Sequence, residues 1–222
     1  PKVMAFSYCY HGSVDETFVI AGPDGGTLPR GGNVGPAYPV SQSTRVAEFN
    51  DIASVAAGLA HEDVAVLIME PALTNIGIVL PEPGFLEAVR DLCTKHGTLL
   101  LIDETHTISA GPGGCTAAWG LRPDIFVIGK SIGGGIPSGA YGITQAVADA
   151  VRNHPEADLV DVGGVGGTLA GNVLSTAAMR ATLGEVLTQA NFDHMIALAT
   201  RFREGVEAVL DKHDVDWSIA QL

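Results

Sequence analysis

Ile125-Phe126-Val127-Ile128-Gly129-Lys130-Ser131-Ile132-Gly133-Gly134-Gly135-Ile136-Pro137 is the stretch that decides how the rest of the chain is read. Four apolar residues read as a short strand of the buried type, which delivers one lysine into a run of glycines. The protein has only 12 lysines and arginines in 222 residues, so a lysine placed here is not surface filler. Against apolar walls its ammonium form is disfavoured and its pKa is expected to fall. A lysine that loses its proton near neutral pH attacks carbonyls, and Schiff-base chemistry follows. Two plainer readings stand beside this one. Gly129-Lys130-Ser131 has the ending of a nucleotide-phosphate loop, but that motif needs a glycine where this chain has Asp124. A lysine at a strand end can also lay its stem on apolar surface and keep its head in water.

Outward from Lys130, buried-type strands alternate with helical spacing. Residues 64–69 and 98–102 are continuous apolar runs, and residues 3–7 and 140–143 are shorter ones. The spacing predicts helices over 51–60, with Asn50 or Asp51 as N-cap, and over 84–95, with an apolar stripe of Phe85, Leu86, Val89 and Leu92 ended by Gly97. Two more helices are expected over 172–187 and 192–212, the second strongly amphipathic. Residues 23–39, rich in glycine and proline, read as loop. Strands apolar on both faces alternating with helices indicate an α/β fold with a parallel sheet covered on both sides. Ligands of such sheets bind beyond the carboxyl ends of the strands. Asp103 and Lys130 stand at two such ends, and neighbouring strands would turn both into one crevice.

A net charge of −13 argues against nucleic acid and against an acidic membrane as partners. Three cysteines, odd in number and widely spaced, point to a reducing compartment. No apolar run reaches membrane-spanning length and Pro1-Lys2-Val3 does not open a signal peptide, so a soluble cytoplasmic protein is expected. The 28 glycines mark turns and close approaches. Cys115, in a Gly-Pro-Gly-Gly-Cys loop, is expected to be open to solvent, and Trp119 and Trp217 to serve packing.

Asp103 follows a buried strand directly, with Glu104 and His106 just after. Such an acid caps a helix, binds a metal with Glu104, His106 and His11, or faces a cationic group. No second cluster with metal-ligand spacing accompanies these residues. The third reading joins Asp103 to Lys130.

Taken in order, several motifs resemble one family. Tyr10-His11-Gly12, Glu70-Pro71, Leu101-Ile102-Asp103-Glu104, the Gly129–Pro137 segment with Gly139-Ala140-Tyr141-Gly142, and Gly167-Thr168-Leu169-Ala170-Gly171-Asn172 are similar to the class III pyridoxal-phosphate-dependent aminotransferases, in the branch containing glutamate-1-semialdehyde aminomutase. No single motif decides; the ordered set is specific.

The resemblance implies an aspartate-aminotransferase-type (fold type I) large domain with a mostly parallel central sheet, and pyridoxal 5'-phosphate as cofactor. Lys130 would form the Schiff base with the cofactor aldehyde and afterwards move the substrate proton. Asp103 would keep the pyridine nitrogen protonated. Tyr10 would stack on one ring face, and Thr105, where the family has Val or Ile, on the other. His106 would donate a hydrogen bond near the phenolic oxygen, or be held by local backbone. Asn75 matches the semialdehyde branch. Gly167 and Thr168 would reach the phosphate of the neighbouring subunit of a homodimer, unless Thr168 is a helix cap. His11 is expected to fix the Tyr10 loop rather than touch substrate. Relatives carry a Gly/Ser-rich phosphate turn before YHG and a small C-terminal domain. The chain is therefore expected to be incomplete at both ends: residues 1–190 as cofactor-binding large domain without its N-terminal part, and 191–222 as linking helix and start of the small domain. The function implied is amino-group transfer between an amino acid or amine and a keto acid or aldehyde. An aminomutase or an amino-acid racemase would use the same groups. A non-catalytic binding protein and a metal-dependent hydrolase are the alternatives of another class.

Overall fold

The computed structural model describes residues 1–35, 38–154 and 166–222. Its centre is a six-stranded sheet in the order β4-β1-β5-β6-β7-β8. The strands are β1 (Lys2–Phe6), β4 (Thr44–Ala47), β5 (Val64–Met69), β6 (Leu99–Asp103), β7 (Ile125–Gly129) and β8 (Gly139–Ile143). The first five run parallel, and β8 pairs antiparallel with β7 along its whole length. β2 (Val19–Ala21) and β3 (Thr27–Pro29) form a separate hairpin. The predicted loop over 23–39 is corrected here, since it contains β3.

Helices connect the parallel strands as their sequences dictate. In α1 (Ile52–Leu59) the Asp51 carboxylate caps the first turn, accepting from Ala53 N and Ser54 N. Asn50 is not the cap. It takes a left-handed backbone and ties Leu80 O and Glu82 N instead. α2 (Phe85–His96) ends at Gly97, whose φ of +65° suits glycine and whose N–H closes onto Cys93 and Thr94 carbonyls. Beyond the sheet lie α3 (Gly114–Ala118), α4 (Gln145–Arg152), α5 (Val173–Ala181) continued by a π-helical turn (Thr182–Val186), and α6 (Gln189–Lys212).

The core lies under β4, β1, β5 and β6. Phe6, fully buried, meets Phe49 and Phe85 edge to face at 5.5 and 5.8 Å, and Met4, Leu67, Val55, Leu59 and Val89 complete the packing. The other end is thinly covered. Every residue of β8 is exposed, and Phe192 is the one buried residue of the 24-residue α6. Trp217, expected to pack, is 78% exposed. The apolar stripe of α6 has no matching partner face among the described residues.

Candidate active site

β6 and β7 are adjacent and parallel, with Asp103 opposite Val127. Their carboxyl ends therefore open on one side, where ligands of such sheets bind. Tyr10, His11, Gly12, Glu70, Asp103, Thr105, His106, Val127 and Lys130 surround a cavity of about 180 Å³ there. Lys130 leaves β7 with φ +48°, a left-handed backbone that costs a non-glycine residue roughly 1–2 kcal/mol. The glycines after it, Gly134 and Gly135, also have positive φ and turn the chain back to β8. The turn thus holds Lys130 Nζ 6.0 Å from the centre of the Tyr10 ring. Lys130 is exposed rather than enclosed by apolar walls among the described residues.

Asp103 is not loose. Its Oδ1 accepts Thr105 N–H at 2.9 Å and its Oδ2 accepts His11 Nδ1–H at 2.8 Å. Both side chains are buried, His11 to 2% exposure. Burial alone would raise the carboxyl, but the His11 and Thr105 hydrogen bonds hold it below its ordinary value. Burial likewise pulls the His11 imidazole down, yet the Asp103 carboxylate, with a smaller push from Cys9, lifts it to about 10. The two groups thus favour each other's charged forms, and the buried His11 Nε2 has no hydrogen-bond partner among the described residues. His11 therefore does more than fix the Tyr10 loop. The sequence carries no sign of it, because the contact spans 92 positions and depends on β1 lying two strands from β6.

Glu104 points the other way. Fully buried, it accepts the N–H groups of Cys115 and Thr116 and the Thr107 hydroxyl, and so pins α3 under β6. Cys115 is 4% exposed, against the expectation of an open loop, and burial, then Glu104, pushes its thiol up to about 12. His106 Nδ1 meets the Thr74 hydroxyl, a side chain rather than local backbone. The acids and histidines of the metal reading are thus divided among separate partners. Among the described residues no three of His, Cys, Asp and Glu are grouped to hold a metal.

Tyr10, Asp103, Thr105, His106 and Lys130 come together in the cavity; Asn75, Gly167 and Thr168 do not. Asn75 is exposed on the loop closed by the Leu73–Val79 bridge. Gly167 and Thr168 sit in an exposed turn, and the cap of α5 is Asn172, not Thr168.

An open, mostly parallel sheet that sets an ionised acid and a lysine at adjacent strand ends, beside an aromatic ring, has the layout of fold type I, the aspartate-aminotransferase type. Within that class the chain belongs to the class-III aminotransferase family, whose sequence model matches residues 1–220. It is 37% identical over 217 residues to glutamate-1-semialdehyde 2,1-aminomutase 2 of Halalkalibacterium halodurans, covering 96% of this chain and 49% of that one. The crystal structure of a glutamate-1-semialdehyde-aminomutase from Pseudomonas aeruginosa superposes with a TM-score of 0.91 at 44% identity, over 99% of this chain and 49% of that one. An omega-transaminase from Sphaerobacter thermophilus follows at 0.80 and 32%, over 96% and 49%. The chain spans about half the length of these relatives.

Proposed function

We propose that this chain is the cofactor-holding part of a pyridoxal-phosphate-dependent class-III enzyme that moves an amino group, as an aminotransferase or as an aminomutase. The observation that carries the reading is the cavity in which Lys130, Asp103, Tyr10 and Thr105 converge. The donor set fits the cofactor. A carboxylate held ionised by His11 suits a protonated pyridine nitrogen, and each of its oxygens keeps a free lone pair after its present bond. Tyr10 and Thr105 both line the cavity, and in this reading they would pack on opposite faces of the cofactor ring.

When bound, the cofactor supplies an electron-accepting ring and an aldehyde carbon. Lys130 Nζ would hold it and would serve as the base that carries the substrate proton. Asp103 would hold its ring nitrogen protonated, with His11 supporting the charge on Asp103. The aminomutase reading rests on the relatives at 37% and 44% identity. It is separated from transamination by the products formed from glutamate 1-semialdehyde supplied alone: a mutase gives the isomeric amino ketone, whereas a transaminase, using the aldehyde of a second molecule as acceptor, gives a diamine and a dicarbonyl in equal amounts.

Thr168, from a second subunit of a homodimer, would complete the phosphate contacts in this reading, and α6 is the linking helix. Residues 1–190 are the large domain and 191–222 the link. Three free, buried cysteines support a reducing compartment, the cytoplasm, and no helix of the described residues is long and apolar enough to cross a membrane.

Absorbance titration with pyridoxal phosphate tests the reading. A visible band is expected with this chain and its loss with Lys130→Ala. An equal band in both would overturn it. Turnover by the chain alone is expected to be poor, because Lys130 stands exposed; robust turnover without added polypeptide contradicts that part.

A further inference from the structure

Glu70, Thr74 and His106 form a chain of hydrogen bonds with a fixed direction. Glu70 is 2% exposed; its Oε1 accepts Tyr10 N–H at 3.1 Å and its Oε2 accepts the Thr74 hydroxyl. A threonine hydroxyl has a single proton. With that proton given to Glu70, Thr74 Oγ1 meets His106 Nδ1 only as an acceptor, so Nδ1 must carry hydrogen. The Glu70 carboxylate, 3.7 Å from the same nitrogen, favours N–H on that side as well. His106 at the same time lines the cavity with Asp103 and Lys130, and its side chain is 30% exposed.

We infer that Thr74 and Glu70 lock neutral His106 in its Nδ1–H tautomer, leaving Nε2 as a lone-pair nitrogen for a hydrogen-bond donor in the cavity. Thr74 and Glu70 are positioning residues; His106 is the group that meets the ligand. The donor role expected from sequence is thereby reversed for the neutral ring. The ligand class that fits is one presenting N–H or O–H at this wall, such as the ammonium of an amino substrate. That last identification rests on the proposed function, while the tautomer does not.

The test uses the whole chain with nothing bound, so its failure is separable from failure of the cofactor reading. Long-range proton–nitrogen correlation spectra of the nitrogen-15-labelled chain are recorded through a pH series, with the His106 signals assigned by their loss in His106→Asn. At the pH where the ring is neutral, Nδ1 is expected in the pyrrole-type range and Nε2 in the pyridine-type range. Free imidazole side chains favour the opposite arrangement, so the shift pattern is diagnostic. Thr74→Val should shift His106 toward the Nε2–H form, Thr74→Val combined with Glu70→Gln should release it fully, and Thr74→Ser should keep the lock. An Nε2–H tautomer in the unmodified chain overturns the inference, and so does a folded Thr74→Val whose His106 spectrum is unchanged. If Thr74→Val does not fold, the spectrum of the unmodified chain decides alone.

Discussion

The Asp103–His11 pair is one contact of 2.8 Å between buried side chains at the cavity wall. Removing one partner of a buried ion pair costs about 3–5 kcal/mol, because the other charge is left alone. His11→Asn is therefore expected to destabilise the chain by an amount near that range, read from urea unfolding. The pH dependence follows from the two displaced groups. Asp103 lies below its ordinary 3.8, so its contribution is present above 3.8 and is lost as acid protonates it in the fold. His11 is raised from 6.5 to about 10, so its contribution is full below 6.5 and is lost as pH rises through about 10. The difference between the original chain and His11→Asn should thus be largest from pH 3.8 to 6.5 and shrink toward pH 10. A difference that grew with pH would contradict the assignment of charges. Asp103 and Lys130 are legible in the sequence because each ends an apolar run. His11 is not, since what it touches is decided by strand order.

Among the elements, the turns discriminate most sharply between space and strain. Gly114 has φ +63°, and a Cβ there would overlap Glu104 Oε2; Gly97 has φ +65° and nothing within 4 Å. Gly97→Ala is expected to cost about 1 kcal/mol, the left-handed penalty alone. Gly114→Ala should cost at least about 1–2 kcal/mol more, because it also displaces a buried carboxylate from three donors. Calorimetric midpoints of the two variants check the order. Two strands missed from sequence have separate physical reasons. β4 is a four-residue edge strand in which Arg45 breaks the apolar run by pairing with Asp63 at 2.6 and 2.8 Å. β3 ends in Pro29, and proline within a run argues against a strand. The central strands and α2 were legible because burial on both faces, or on one stripe, leaves a strong pattern.

Across the whole molecule the packing is lopsided. The aromatic cluster around Phe6 anchors one half of the sheet, while α5, α6 and β8 present apolar side chains to solvent: Val173 at 83%, Leu174 at 65%, Phe202 at 75% and Tyr141 at 50% exposure. Phe6→Ala should therefore cost about 3–5 kcal/mol, and Phe202→Ser no more than about 0.5 kcal/mol, both read by denaturant unfolding. The exposed half sits beside Lys130, and relatives of twice the length carry additional chain. Composition and motif order disclosed the fold class and the family; the exposure of the lysine did not follow from them, because an apolar strand reads the same whether or not something covers it. Lys130 is the proposed covalent anchor of the cofactor. Borohydride reduction of the chain mixed with pyridoxal phosphate, followed by peptide mapping, tests it most directly. The account predicts one dominant reduced adduct on Lys130; no adduct, or one on Lys2, Lys95 or Lys212 instead, would contradict it.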